Sequence, residues 1–372
     1  MAEISGAMPE GAHGGNIYKA SKLYGIERGK FLDYSANINP LGLPYSLKEL
    51  LKEELDNLVN YPDPECTELR QEISGYLGVG EDCVIIGNGA SEVVFLLFDL
   101  LRLRRVLVPA PTFTEYAKAA QAYGTEVEYF ELKEEENFRL DVSRLLSNMG
   151  AGIDAVFLCN PNNPTSTLVS KPDLLELLKH AAKRNIFVFI DEAFIEMTPD
   201  ANQNSMVEFL SGYKNLFIVR AFTKIFAIPG LRLGYGLGDR ELVKKMWERK
   251  LPWSVNSLAC SMGKVLRTEK DYMEKTRAWI REEKQWFYNE LRKLGKFKVF
   301  EPQTNFMLLK ILVDGLNAPK LKHSMAVKGV LIRDAGNFKF LNDKFFRIAI
   351  KDRESNIRFL RVLNEVLEEI ES

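Results

Sequence analysis

The sequence predicts an α/β protein: a mostly parallel sheet flanked by helices, with a smaller α+β domain beside it. Three observations carry this. Short β-branched and aromatic runs alternate with longer amphipathic ones through the first part of the chain. After Asp239 the pattern changes to long charged helices with separate short strands. The length of 372 residues suits two domains at one per ~150 residues.

In chain order, strands are predicted at 84–86, 105–108, 126–130, 155–159, 187–190 and 216–219. Each run is short and mostly free of charge, as strands covered on both faces are. Helices at 91–101, 114–123, 171–183 and 206–210 lie between them. In such a sheet, ligands sit at the carboxyl ends of the strands. Further helices are expected at 240–249, 256–268, 272–294 and 353–370, and strands at 298–300, 306–310, 330–332 and 346–350. The large domain is expected at 41–255, with 1–40 and 256–372 forming the small domain and its N-terminal segment.

Composition narrows the function classes. Hydrophobic residues at 46% and charged residues at 27% exclude a disordered chain. Lys+Arg of 50 against Asp+Glu of 51 lacks the basic excess of a dedicated nucleic-acid binder. No run of about 20 apolar residues exists, so no membrane helix is expected. The polar, Gly-rich start lacks the apolar core of a secretory signal, and a cytoplasmic location is expected. Cys66, Cys83, Cys159 and Cys260 are scattered without CxxC spacing, and only three histidines are present. Neither a metal site nor a disulfide framework is expected.

Four segments carry chemistry. Gly87-Asn88-Gly89-Ala90-Ser91-Glu92 joins a strand to a helix; it is a phosphate cradle or an ordinary turn capped by Ser91. Asn160-Pro161-Asn162-Asn163-Pro164-Thr165 is a stiff polar loop after a strand. Asp191 ends an apolar strand, either as a cap or as a charge held for a cationic nitrogen. Lys224 lies between apolar residues, with Arg220 and Arg232 near in sequence. Burial and neighbouring cations lower an amine's pKa and make it nucleophilic.

A phosphate cradle, amides, a carboxylate and an activated lysine are what pyridoxal 5′-phosphate requires. Their order resembles the fold-type I pyridoxal-phosphate enzymes, within the class I/II aminotransferases that include histidinol-phosphate aminotransferase. The resemblance implies that Lys224 forms the Schiff base and shuttles a proton, and that Asp191 pairs with the pyridine nitrogen. It implies that Asn163 bonds the ring oxygen and that Phe113 stacks on the ring. Gly89, Ala90, Ser91, Thr223 and Arg232 would bind the cofactor phosphate. Tyr61, in Asn60-Tyr61-Pro62-Asp63-Pro64, would reach across a homodimer to the partner's cofactor phosphate. Arg347 would clamp the substrate carboxylate, a task suited to a bidentate guanidinium. Phe194 stands where many relatives carry a tyrosine, so one donor to the ring oxygen is missing.

Four more stretches narrow the family. They are His13-Gly14-Gly15-Asn16, Ser35-Ala36-Asn37-Ile38-Asn39-Pro40-Leu41-Gly42, Leu251-Pro252-Trp253-Ser254-Val255-Asn256, and Ile332-Arg333 with Ala335-Gly336-Asn337-Phe338. They look like those of the L-threonine O-3-phosphate decarboxylases of cobalamin biosynthesis. The resemblance implies decarboxylation to (R)-1-amino-2-propanol O-2-phosphate. A histidinol-phosphate-type aminotransferase and an L-serine O-phosphate decarboxylase are the alternatives. His13, Asn37, Arg333 and Arg347 would hold the small phosphorylated substrate. His13 and Asn16 also suit a terminal turn that caps a helix, and Arg333 suits a surface charge beside Asp334.

Overall fold

The computed structural model describes residues 14–266 and 268–371. Strands follow in chain order as β1 (Leu32–Asp33), β2 (Val84–Asn88), β3 (Arg105–Ala110), β4 (Glu126–Glu131), β5 (Ala155–Cys159), β6 (Phe187–Asp191), β7 (Leu216–Ala221), β8 (Leu233–Leu237), β9 (Phe297–Val299), β10 (Phe306–Ile311), β11 (Val330–Leu331), β12 (Arg333–Asp334) and β13 (Phe345–Ala349).

Seven of them form one sheet in the order β2-β8-β7-β6-β5-β3-β4. The neighbours from β7 to β4 are parallel, whereas β8 runs antiparallel between β2 and β7. Alternation along the strands sends side chains to opposite faces. On one face Phe157, Phe189 and Phe217 lie in register across β5, β6 and β7. Phe157 and Phe189 stack at 4.6 Å, with Phe98 of the helix Ala90–Leu101 stacked 4.7 Å from Phe157. Such pairs add about 0.5–1.5 kcal/mol each beyond burial. On the other face Leu158, Ile190 and Ile218 join a second buried cluster.

The expected helices at 171–183 and 240–249 match Lys171–Lys183 and Arg240–Arg249 at both ends. Ser170 caps the former by accepting from the Asp173 amide, with Pro172 in the first turn. Two expected helices are corrected. Residues 206–210 hold only a 3-10 turn, Val207–Phe209. The Met206 amide and Ser205 hydroxyl there donate to Glu192 instead of extending a helix. Residues 256–268 hold two short helices, Ser257–Cys260 and Gly263–Leu266, rather than one. Gly263 packs on the backbone of Leu69; a Cβ there would lie 2.9 Å from Leu69 Cα.

The strand β8 and the helices Ile17–Tyr24, Tyr45–Glu53, Thr67–Leu77 and Val142–Asn148 were not among the expected elements. Two glycines disguise β8. A Cβ on Gly234 would sit 2.3 Å from the Ala90 nitrogen, and one on Gly236 would sit 2.4 Å from Phe217. The glycines let the strand lie against backbone and an aromatic ring, a use that breaks the apolar pattern.

The smaller sheet runs β12-β13-β10-β9, all antiparallel. β1 pairs in parallel with β11, joining residues 32–33 to 330–331. Beyond it the Tyr34 amide donates to Leu331 O and Tyr34 O accepts from Ala349, both at 2.8 Å. This bond pair brings Ser35, whose carbonyl accepts from Arg347, beside β13. Among the described residues no helix is long and apolar enough to cross a membrane.

Candidate active site

A cavity of about 230 Å³ opens where the carboxyl ends of the parallel strands face β12 and β13. Its wall includes Ala90, Ser91, Phe113, Asn163, Asp191, Thr223, Lys224, Arg232, Asn37, Arg333 and Arg347. The structure therefore brings together these sequence-predicted residues from segments up to 310 residues apart, with Gly89 beside Arg232. One predicted residue stands apart. Tyr61 is 82% exposed, packed at a tilt against Trp253 at 4.9 Å, and outside the cavity. His13 lies outside the described residues.

Asp191 is the last residue of β6 and is buried. Its Oδ2 accepts from the Tyr116 hydroxyl at 2.6 Å and its Oδ1 from the Ala193 amide at 2.8 Å. Burial raises its carboxyl above the ordinary 3.8, and the Tyr116 hydroxyl opposes the rise. Sequence reasoning missed Tyr116. It reads as one more core aromatic of the helix Glu115–Ala122, and nothing local distinguishes it.

Lys224 sits in the single turn Phe222–Ile225 that follows β7. Burial, then the charges of Arg347 and Arg232, push its amine down to about 8 from 10.5, while Asp191 pulls it back. The expected neighbour Arg220 is corrected: it is not one of these cations. Its guanidinium donates to Glu192 at 2.9 Å, to Glu196 at 3.1 Å and to Ser205 at 2.6 Å. Glu196 also accepts from Arg277 and Tyr76. Residues alternate along β7, so the position that looks close in sequence faces a different set of groups.

The cradle after β2 is shaped by Gly89, at φ +80°, and by Arg232, itself left-handed at φ +58°. A Cβ on Gly89 would lie 2.3 Å from Arg232 Nη2, so glycine leaves the guanidinium room beside the helix N-terminus. Ser91 makes no capping bond; Gly89 occupies the cap position. The backbone amides at the start of Ala90–Leu101 and the adjacent cation form an anion-binding end.

Arg333 and Arg347 are cross-strand partners on β12 and β13, and both are buried. The surface-charge reading of Arg333 is thus corrected. Like charges placed opposite each other repel, so the pair suits an anionic ligand. Burial and the charge of Arg333 lower Arg347 to about 9, and burial lowers Arg333 as well. Arg347 Nη1 donates to Asn163 Oδ1 and its Nη2 to Ser35 O, both at 2.6 Å. Arg333 Nη2 donates to Asn337 at 2.8 Å.

The Gly14-Gly15-Asn16 stretch docks on the same spot. The Gly15 amide donates to Ser35 Oγ at 2.7 Å, and a Cβ on Gly14 would lie 2.0 Å from Ser35 O. Asn16 caps the helix Ile17–Tyr24 by accepting from the Lys19 amide. Phe194 packs edge-on to Phe306 at 4.9 Å, with the Lys224 amine 5.7 Å over its ring.

Two buried polar atoms of the cavity wall have no protein partner: Arg347 Nε and Asn37 Oδ1. Buried polar groups are almost always paired, so a donor and an acceptor await a ligand here. An anion cradle, a buried carboxylate and an amine poised near 8 fit a phosphorylated nitrogen heterocycle carrying an aldehyde. The wall residues are thus a fit for pyridoxal 5′-phosphate.

Comparison with known proteins agrees with this chemistry. The aminotransferase class I and II family matches residues 30–363. A protein of Caldanaerobacter subterraneus subsp. tengcongensis, provisionally named a threonine-phosphate decarboxylase, is 39% identical over 96% of this chain and 94% of its own. The threonine-phosphate decarboxylase of Salmonella typhimurium is 34% identical over 97% of this chain and 98% of its own. The crystal structure of the histidinol-phosphate aminotransferase from Clostridium acetobutylicum superposes with a TM-score of 0.84 at 36% identity, over 90% of this chain and 99% of that one. The chain belongs to the class I and II aminotransferase family and has its fold-type I architecture.

Proposed function

We propose that this chain binds pyridoxal 5′-phosphate and decarboxylates L-threonine O-3-phosphate to (R)-1-amino-2-propanol O-2-phosphate, a building block of cobalamin. The observation that carries the reading is one cavity holding a lysine amine lowered to about 8, a buried carboxylate and a buried arginine pair. When bound, the cofactor supplies an electron sink for charge left at the substrate's α-carbon.

The protein's residues do the rest. Lys224, partly neutral near pH 8, is the nucleophile and moves a proton at its Nζ. Asp191 would hold the ring nitrogen, and the Tyr116 hydroxyl favours the charged form of that carboxylate against burial. Asn163 accepts from Arg347 through Oδ1, which leaves its Nδ2 to donate to the ring oxygen. Phe113, in the cavity wall, would stack on the ring. Gly89, Ala90, Ser91, Thr223 and Arg232 take the cofactor phosphate. Arg333, Arg347 and Asn37, with His13, receive the substrate's phosphate and carboxylate. The large half is 41–255, and the remainder supplies the arginine pair.

Tyr61 acts from a second copy of the chain. It is exposed, as are its neighbour Val59 at 88% and Leu251 at 73% beside Trp253, against which it packs at a tilt. A twofold partner covers such a surface and brings each tyrosine to the other cofactor phosphate.

The similarity to a histidinol-phosphate aminotransferase structure keeps amino transfer as the second reading. The test is CO2 release from L-threonine O-3-phosphate by cofactor-loaded protein without any 2-oxo acid. No release, together with glutamate-dependent conversion of histidinol phosphate, would replace the first reading by the second. L-serine O-phosphate should react more slowly, since one methyl group contributes about 1–3 kcal/mol in an apolar pocket.

A further inference from the structure

Cys66 and Cys260 are separated by 194 positions, yet their sulfurs are 2.7 Å apart. Both lie on held backbone. Asp63 accepts from the Glu65 and Thr67 amides, and its carbonyl accepts from Cys66. That turn sets buried Cys66 at φ +47° just before the helix Thr67–Leu77. Half-buried Cys260 ends the short helix Ser257–Cys260, capped by Asn256.

In the single chain a surface cleft of about 190 Å³ is lined by both cysteines with Pro62, Asp63, Ser257 and Lys264, so a small reagent reaches the pair in a copy whose partner does not cover it. The proton is shared unevenly. With Cys66 as donor the contact favours the thiolate on Cys260; burial and the Asp63 charge oppose this, and the Lys250 charge assists it. The same bond, with burial, pushes the Cys66 thiol up. Cys260, the more exposed of the two sulfurs, is the attacking one, and buried Cys66 is the resolving one.

We propose that Cys66 and Cys260 form a thiol–disulfide modification site, oxidised by a low-molecular-weight disulfide such as oxidised glutathione. The Cys260 thiolate attacks one sulfur of that disulfide, whose S–S bond breaks and releases one glutathione thiolate. Cys66 gives its proton to water and attacks Cys260 Sγ, and the second glutathione leaves. Two protein thiols are oxidised, and one glutathione disulfide is reduced to two thiols. The resulting bond ties the segment carrying Tyr61 to the segment after Asn256, whose Nδ2 donates to Leu231 O beside Arg232. The site stands independently of the reaction proposed above.

The test treats cofactor-loaded protein with oxidised glutathione, blocks remaining thiols by alkylation and maps the digest by mass. The expected result is a Cys66–Cys260 peptide pair lighter by two hydrogens, two alkylated thiols of the original four, and reversal by dithiothreitol. The oxidised protein should run at monomer mass without reductant. It should also melt at a higher temperature than the reduced protein, a gain lost in Cys66→Ser and Cys260→Ser. Four alkylated thiols, stable glutathione adducts without a crosslink, or a bridge to Cys83 or Cys159 would overturn the proposal.

Discussion

Replacing Lys224 by methionine should stabilise the cofactor-free protein at neutral pH, although it removes the proposed nucleophile. In the unfolded chain the amine titrates near 10.5, and in the fold near 8. Between those values the unfolded chain binds more protons, so stability rises with pH across that window and is lowest below about 8. At about 1.36 kcal/mol per pH unit, the charged amine costs the fold about 3 kcal/mol at pH 7 and about 1 at pH 10. The pH 7 figure is a ceiling, because the half-buried amine keeps some hydration. Methionine has similar length and no charge, and it also relieves repulsion toward Arg347 and Arg232. Urea unfolding of both proteins at pH 7, 8.5 and 10 measures the difference at constant slope. A variant no more stable than wild type at pH 7 would refute the reasoning. So would an advantage that does not shrink as the pH rises. A stability cost at the proposed nucleophile would be the usual exchange between activity and stability.

Tyr116→Phe removes the 2.6 Å donor to Asp191, a bond to a charged group worth about 1.5–3 kcal/mol. Asp191 then rises further, and the acid limb of the pH–rate profile should move up by about 1–2 units; an unmoved limb contradicts the assignment. Gly89→Ala places a methyl 2.3 Å from Arg232 at φ +80°. Cofactor titration by absorbance should show affinity weaker by about tenfold, from about 1–2 kcal/mol of backbone strain, and unchanged affinity counts against the cradle. Gly14→Ala forces its segment off Ser35 O, 2.0 Å away; overpacking of about 1–3 kcal/mol should appear mainly as a raised KM for the phosphorylated substrate, and an unaltered KM would detach this segment from the site. Arg220→Met leaves Glu192 and Glu196 buried beside an apolar side chain, so denaturation should show a loss of about 3–5 kcal/mol; a loss below about 1 kcal/mol would mean the network contributes little.

Much of this molecule is readable from local pattern. The runs at 155–159, 171–183 and 240–249 match their elements end for end, because each carries both an apolar periodicity and a bounding residue. The order of Gly89, Asn163, Asp191 and Lys224 is readable too, since each of these follows or ends a strand whose carboxyl end is where such sheets bind ligands, whereas Arg232 reaches the same edge by preceding the antiparallel β8. By itself, then, the sequence determined the fold class, the parallel core and the cofactor-type chemistry at its edge.

Tertiary structure decided what meets across long separations. Whether 233–237 is a strand depends on how closely Ala90 and Phe217 approach its glycines. The break in 256–268 depends on Leu69, far away in the chain. Register sets Arg333 opposite Arg347, strand alternation turns Arg220 to Glu192 and away from Lys224, and helix packing aims Tyr116 at Asp191. The Cys66–Cys260 contact has no trace in their spacing. Backbone preference and hydrophobic period are short-range properties of the chain. Charge balance, orphaned polar atoms and thiol contacts arise only once distant segments are packed at atomic distances.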